Sequence, residues 1–313
     1  MVAKVKSAYK ITNWAGYNES LVKRGSITFW FDEDVVAQWA HENAEPKVGR
    51  PFVYSDVAIE CLLTLRELFR LPYRQTEGLG RSLAKLMNVE LAIPDFTSLA
   101  KRAAQLNFKL VLSQCKGPID VVVDSTGLKV FGEGEWKTRQ HGVSKRRTWR
   151  KLHLAVNPAT HEIVAEVLTE NSGYDADQVD GLLEQIPQRI KAFYGDGAYD
   201  KWKVYDRLKA QNIQPIIPPQ KNAKIKQHGN STETPLVRDE ALRAIRRSGR
   251  KAWKKEIGYH RRSLAETAMS RMKTIFGGLL KNRLLPNQRA EARLRCRILN
   301  KFTQLGMPKF AWS

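Results

Sequence analysis

No stretch of this chain approaches the roughly 18 uninterrupted apolar residues that a membrane-spanning helix needs, so no membrane partner is expected. Cysteine is scarce. Cys61, Cys115 and Cys296 are far apart and form no CxxC or CxxH spacing, which excludes a disulfide framework and a structural zinc site and leaves buried apolar thiols as the expectation. Low-complexity tracts are absent, and with 42% apolar residues the chain is expected to fold around a substantial interior. The basic start MVAKVKSAYK is followed by no apolar stretch, so no secretory leader is read there and residence in the cytoplasm is expected.

What the last third lacks is acid. The formal charge of the 313-residue chain is +21. Residues 1–200 hold 26 Lys and Arg against 25 Asp and Glu, whereas residues 201–313 hold 27 against 7. An excess of this size on one segment points to a polyanion, because each neutralised phosphate releases condensed counterions. Charge alone does not separate DNA from RNA.

Between Ser55 and Leu106 three segments repeat apolar residues at three- and four-residue spacing: SDVAIECLLTLRELF, RQTEGLGRSLAKLM and PDFTSLAKRAAQL. Asp95 is a natural start for the third helix, which would carry Thr97, Ser98, Lys101 and Arg102 along its early turns, as a helix-turn-helix reader presents polar side chains to a groove. An ordinary three-helix bundle with a polar outer face is the alternative. From Pro118 the pattern changes. IDVVVDST is the apolar, β-branched run of a strand buried on both faces, and TWRKLHLAVN and EIVAEVLTE, joined by NPATH, read as a hairpin. Asp177–Ile186 reads as helix, RIKAFYGDGAYD as a strand stopping at Gly195, Tyr199–Gln211 as helix, IQPIIP as a short strand and Ser263–Phe276 as helix. The order β-β-β-α-β-α-β, a basic insertion, then α is the ribonuclease H-like order: a mixed five-stranded sheet flanked by helices, with an N-terminal helical region before it.

Three acids occupy telling places on this scheme. Asp124 and Asp196 fall at the carboxyl ends of two central strands, where α/β sheets open into ligand-binding crevices. Glu266 lies on the last helix, on one face with Arg262 and Lys273. Hard divalent ions that activate a nucleophile and stabilise a leaving oxygen at a phosphodiester prefer such oxygen ligands. Each acid also has a plainer role open to it: a strand-end turn for Asp124, a tight turn between glycines for Asp196, a helix-surface ion pair with Arg262 for Glu266.

VVVDSTGLK, YGDGAYD and the string Tyr259, Arg262, Glu266, Lys273 together resemble the DDE transposases of bacterial insertion sequences, in particular the insertion-sequence-five family related to the insertion-sequence-four group. The motifs span about residues 118–276, and the helical segment near 55–106 also resembles that family's N-terminal region. The resemblance implies an enzyme that binds the terminal inverted repeats of its element as double-stranded DNA, pairs two ends as a homodimer or higher oligomer, cleaves to free 3′-hydroxyls and joins these to target DNA. It implies Asp124, Asp196 and Glu266 as ligands of Mg²⁺, with Mn²⁺ as a substitute, and Tyr259, Arg262 and Lys273 as DNA-contacting groups near the scissile phosphate. Localisation would be cytoplasmic, on the bacterial nucleoid. The division it implies is a helical DNA-binding region over 1–112, a catalytic domain over 113–280 with a basic insertion at about 219–258, and a basic helical tail over 281–313.

Residues 238–262 carry ten Lys or Arg against Asp239, Glu240 and Glu256. Arg246, Arg247, Lys254 and Lys255 are expected to contact phosphates, and Trp253 either stacks on a displaced base or anchors the insertion to the sheet. His141, His153 and His161 lack metal-ligand spacing, and Gly132 and Gly134 in FGEGE lack the lysine signature of a phosphate loop. Rival readings are a ribonuclease H-like nuclease without strand transfer, a catalytically inactive transposase-derived repressor, and an RNA-binding protein, the last giving no reason for acids at two strand ends.

Overall fold

The computed structural model describes residues 9–43, 49, 51–113, 117–130, 149–228 and 234–312. Cys115, His141, Gly132, Gly134 and the glycine-rich basic loop after Val130 fall outside these. The chain forms two compact units, residues 1–109 with 298–313, and residues 110–297.

The first unit begins with β1 (Tyr9–Ile11), paired antiparallel with the strand Phe310–Trp312, a pairing that sequence pattern did not announce. Helices α1 (Trp14–Arg24), α2 (Ile27–Trp30) and α3 (Glu33–Ala37) follow. Then come α4 (Asp56–Leu68), α5 (Tyr73–Leu86) and α6 (Phe96–Ala103), the three expected helices, packed on one another. Ser55 caps α4 by accepting from the Ala58 amide at 3.1 Å. Asp95 caps α6, its Oδ1 accepting from the amides of Thr97 at 2.7 Å and Ser98 at 2.9 Å. The buried faces bring Ile59, Leu62, Leu65 and Leu99 into one apolar interior.

The second unit is built on β2 (Ile119–Val130), β3 (Trp149–Val156), β4 (Ile163–Glu170), β5 (Ile190–Tyr194), β6 (Gln214–Ile216) and the two-residue β7 (Leu279–Leu280). The order is β4-β3-β2-β5-β6, with β7 beside the far end of β2. The first two pairings are antiparallel and those of β2 with β5, β5 with β6 and β2 with β7 are parallel. The five expected strands and their mixed directions are present, and β7 makes a sixth. Alternation along β2 sends Val121 and Val123 to one face, where Ala155, Val164, Phe193, Val204 and Leu208 complete a core. Helices α7 (Val179–Leu183) and α8 (Trp202–Ala210) contribute to that core. α11 (Ser263–Phe276) packs against β2 and β3, after the basic helices α9 (Val237–Ser248) and α10 (Arg250–Glu256). α12 (Leu285–Leu305), expected as a basic tail, has a buried side that includes Leu294, Cys296, Leu299 and Phe302.

Cys61 and Cys296 are buried as expected. Among the described residues no helix is long and apolar enough to cross a membrane. Phe193, fully buried between β2 and the α8 side, is the clearest test of this core. Phe193→Ala is expected to lower unfolding free energy by about 3–5 kcal/mol; a urea midpoint shift worth less than about 1 kcal/mol would place the ring outside a close-packed interior.

Candidate active site

The parallel pairing of β2 with β5 ends at Val122 opposite Tyr194. Asp124 and Asp196 each stand two residues beyond that last pair. β2 does not end at Asp124, as its sequence suggested, but runs on to Val130 because β3 continues to pair with it. On its other edge β2 is paired by β5 up to Val122 and by β7 only from Lys129, so the fork between these strands, rather than a strand end, holds Asp124. Beyond β5 the chain closes into a single turn of 3-10 helix at Gly197–Tyr199, capped by Asp196, whose Oδ1 accepts from the Ala198 amide at 2.8 Å. The tight turn and the strand-end acid are thus one feature. Gly195 is required there: a Cβ on it would lie 2.9 Å from the Tyr199 ring and 3.1 Å from that of Phe193.

Glu266 sits in the first turn of α11, whose buried side is Ala265, Ala268, Met269, Met272 and Phe276. A cleft of about 520 Å³ is lined by Asp124, Ser125, Glu266, Met269, Ser270, Lys273 and Thr274. Lys273 therefore shares the opening with two of the three acids. Arg262, just ahead of α11, donates to Asp124 Oδ2 at 2.7 Å and also to Glu266. The helix-surface pair foreseen for Glu266 exists, but its arginine spans to the sheet. Its neighbour Arg261 donates to Asp120 at 2.8 Å. Asp120 and Asp124 lie on one face of β2, so consecutive arginines fasten the start of α11 across that face.

Electrostatics mark the same place. Burial raises the Asp124 carboxyl pKa above its ordinary value; the Ser125 amide at 2.8 Å and the Arg262 charge oppose this, and the charges of Asp196 and Glu266 add to it. Burial alone would lower the Arg262 pKa, but Asp124, Tyr259, Glu266 and Asp196 raise it. Tyr259 is pushed up to about 12 by burial and by the three acids, against the Arg262 charge. The Tyr199 hydroxyl is buried, has no hydrogen-bond partner among the described residues, and is raised well above the ordinary tyrosine range by burial and by Asp175, Asp124 and Asp196. It keeps its proton and remains a donor facing acids. Among the described residues, no three His, Cys, Asp or Glu side chains stand close enough to hold an ion as placed. Arg262 satisfies two acids at once, and the carboxylates spread around it.

Other expected contacts are placed as follows. Arg246, Arg247 and Lys255 are exposed, while the Lys254 ammonium stacks over the Tyr259 ring at 4.6 Å. Trp253 is 6% exposed, which fits the anchor and leaves its ring no face for a displaced base. The hydroxyls of Thr97 and Ser98 are both bonded to Asp95. Arg102 donates to Asp56 and to the Tyr54 carbonyl and stacks over Phe52 at 4.4 Å; Lys101 is exposed. Sequence reasoning missed Asp200, although it closes the YGDGAYD string: it accepts from Arg238 at 2.7 and 3.0 Å and from the Gln220 amide at 2.8 Å, tying the basic insertion to the strand-end turn. It also missed Asp175, which opens a single turn of 3-10 helix, Asp175–Gln178, too short to carry a period.

Residues 116–300 match the Transposase DDE domain family, and residues 22–133 match a second family of the same description. The chain belongs to the DDE transposase domain family. It is accordingly a transposase, of a class of nuclease and transferase enzymes that generally use divalent metals. Among solved structures it is similar to the piggyBac transposase synaptic complex with hairpin DNA, at 9% identity over 95% of this chain and 77% of that one, with a TM-score of 0.40. It is also similar to the Mos1 mariner paired end complex with Mn, at 11% identity over 90% and 84% with a TM-score of 0.24. The Mos1 strand transfer complex matches at 12% identity over 56% and 61%, with a TM-score of 0.22.

A raised Asp124 carboxyl has a consequence for stability. Such a group stabilises the fold fully below its ordinary value of 3.8, and this contribution is lost as pH rises through the raised folded value. Asp124→Asn is therefore expected to melt higher than the parent at neutral pH, the gap closing as pH falls through the raised folded value and gone below 3.8. A parent that melts higher at neutral pH would show the Arg262 pair to outweigh burial and repulsion.

Proposed function

We propose that this transposase binds the terminal inverted repeats of its own element in double-stranded DNA, hydrolyses the strands to free 3′-hydroxyls and joins these to target DNA, working as a homodimer or higher oligomer on the bacterial nucleoid. The observation that carries the reading is the fork between β2 and β5: it sets Asp124 and Asp196 two residues past the last strand pair, and Arg262 links Asp124 to Glu266.

The donor set suits a hard divalent ion, being made of carboxylates, with a buried tyrosine hydroxyl unpartnered among the described residues beside them. Asp124, Asp196 and Glu266 would hold Mg²⁺, with Mn²⁺ as a substitute. Such ions, when bound, supply activation of the attacking oxygen and stabilisation of the leaving one. The chain's own part is to hold the phosphodiester. Lys273 lines the cleft with a charge matched to phosphate oxygens, and Arg262, paired with two of the acids that line it, is a planar donor able to pass from carboxylates to a phosphate. Tyr259, protonated and set between Lys254 and the acids, is a neutral donor at the same edge. Arg246, Arg247, Lys254 and Lys255 would carry sequence-independent phosphate contacts. Readout of sequence by α6 would fall to Lys101, since Thr97, Ser98 and Arg102 reach bases only by giving up Asp95 and Asp56.

Asp124→Asn, Asp196→Asn and Glu266→Gln are each expected to reduce cleavage and joining of a duplex carrying the element's ends to background, with the Kd for that duplex within about threefold, because phosphate affinity resides in separate cations. Equal loss of binding and cleavage in gel-shift and cleavage assays would point to a purely DNA-binding repressor or to misfolding. Products cut but never joined would favour the nuclease reading.

Neutralising Arg246, Arg247, Lys254 and Lys255 together is expected to weaken binding to cognate and scrambled duplexes alike, and to reduce the log-log salt slope by roughly 0.9 for each phosphate that no longer meets a cation. Weakening confined to the cognate duplex in a salt titration would give these cations the sequence-reading role instead.

A further inference from the structure

Strand alternation sends Asp124 and Ser125 to opposite faces of β2, and on the face away from α11 the Ser125 position is met by His153 of β3. Here a buried polar cluster interrupts the apolar core. His153 is fully buried, with its Nδ1 3.2 Å from Asp175 Oδ1 and its Nε2 3.1 Å from the Thr169 hydroxyl. That hydroxyl also donates to the Lys151 carbonyl at 3.3 Å. The Lys151 ammonium lies 2.8 and 2.9 Å from the two Asp175 oxygens, and the Ser125 side chain hydrogen-bonds to the same carboxylate. Burial works to raise the Asp175 pKa, yet the bonds from His153, Lys151 and Ser125 hold it well below the carboxylate range. Asp175 is a fixed anion met by three side chains. The loop that delivers it passes close over β4: a Cβ on Gly173 would come within 2.8 Å of the Thr169 hydroxyl oxygen, so only glycine fits.

This cluster touches the acidic site in two ways. The Ser125 amide donates to Asp124 Oδ1 at 2.8 Å, so whatever fixes Ser125 fixes the direction of that carboxylate. Asp175 is also the strongest charge on the buried Tyr199 hydroxyl, ahead of Asp124 and Asp196. We propose that Asp175 is a positioning residue for the site: it anchors the Ser125 side chain from the opposite face of the sheet and, through the Ser125 amide, sets the carboxylate of Asp124. The inference rests on Asp124 being a metal ligand. It adds a rigid support on the side of the sheet away from substrate, with the Lys151 ammonium and the His153 ring packed against the Asp175 carboxylate. Supporting hydrogen bonds of this kind commonly control ligand affinity by about 10- to 100-fold.

The test uses the full chain carrying Asp175→Asn, Ser125→Ala, Ser125→Thr, the Asp175→Asn and Ser125→Ala pair, and Asp124→Asn. Bound Mn²⁺ is read from the loss of the free-ion electron paramagnetic resonance signal in the presence of a duplex carrying the element's ends; cleavage rate, duplex Kd and melting temperature are measured on the same preparations. Asp175→Asn and Ser125→Ala are each expected to weaken Mn²⁺ affinity and cleavage about 10- to 100-fold with Kd for the duplex unchanged. The double variant should be no worse than the more damaged single one, since both act through one contact, and Ser125→Thr, which keeps the hydroxyl, should retain Mn²⁺ affinity. Variants that lose only melting temperature, or keep Mn²⁺ affinity and rate within twofold, overturn the proposal and leave Asp175 as a fold staple. Should Asp175→Asn fail to fold, the contrast between Ser125→Ala and Ser125→Thr decides alone. If Asp124→Asn still binds Mn²⁺ and cleaves, it is the ligand reading of Asp124 that fails.

Discussion

Like charges held together at the split between two parallel strands are the constraint around which the second unit is organised. Asp124, Asp196 and Glu266 each act on the same neighbours, and burial adds to the cost of charge on Asp124. The compensation is local. Arg262 bridges two of the acids, the Ser125 amide serves one oxygen of Asp124, and the Ala198 amide serves one oxygen of Asp196. Breaking such a charge cluster on one side leaves an uncompensated buried ion, and the arginine that prevents this stands in the 3-10 turn immediately ahead of the helix that carries Glu266. Pairing geometry does the rest: β3 runs unbroken alongside β2 while β5 stops, so the fork stays open yet its floor is rigid.

The elements that could be read from sequence are those whose pattern is set by local chemistry. The β-branched run of β2, the hairpin β3–β4, the capped start of α6 at Asp95 and the helix Ser263–Phe276 all follow from periodicity and capping. Long-range pairing was less legible. β1 with its C-terminal partner, and β7 beside β2, are two- or three-residue strands whose partners lie far along the chain, and such short segments carry no period. Asp124 was placed at a strand end because the run IDVVVDST turns polar there. In the fold the polar residues Ser125 and Thr126 continue the strand, because β3 supplies pairing partners and His153 meets Ser125.

Side-chain roles divide in the same way. That Glu266 and Arg262 share a helical face follows from spacing, but that Arg262 reaches Asp124 depends on the angle at which α11 crosses the sheet, which no spacing encodes. Thr97 and Ser98 read as groups offered to a groove; the same chemistry that makes Asp95 a helix cap ties both hydroxyls to its exposed carboxylate. Trp253 was open to two readings, and burial separates them.

The basic segment shows how net charge overstates a polyanion-facing surface. Of its ten cations, Arg238 is held by Asp200, Arg243 by Glu240 and the Gln227 carbonyl, Arg250 by the Pro219 carbonyl, Arg261 by Asp120 and Arg262 by Asp124 and Glu266. Lys254 lies on the Tyr259 ring. Arg246, Arg247, Lys251 and Lys255 are exposed at the end of α9 and along α10. The engaged cations fasten the insertion and the start of α11 to the acids of the sheet, and the exposed ones extend from that anchored base. Since only cations that trade counterions for phosphates enter the salt dependence, at roughly 0.9 in slope per neutralised phosphate, the slope is governed by the exposed group together with whichever engaged arginines change partners. Arg262 is the one whose exchange would couple DNA binding to the acids, because releasing it from Asp124 and Glu266 removes the positive charge that holds them apart from full repulsion.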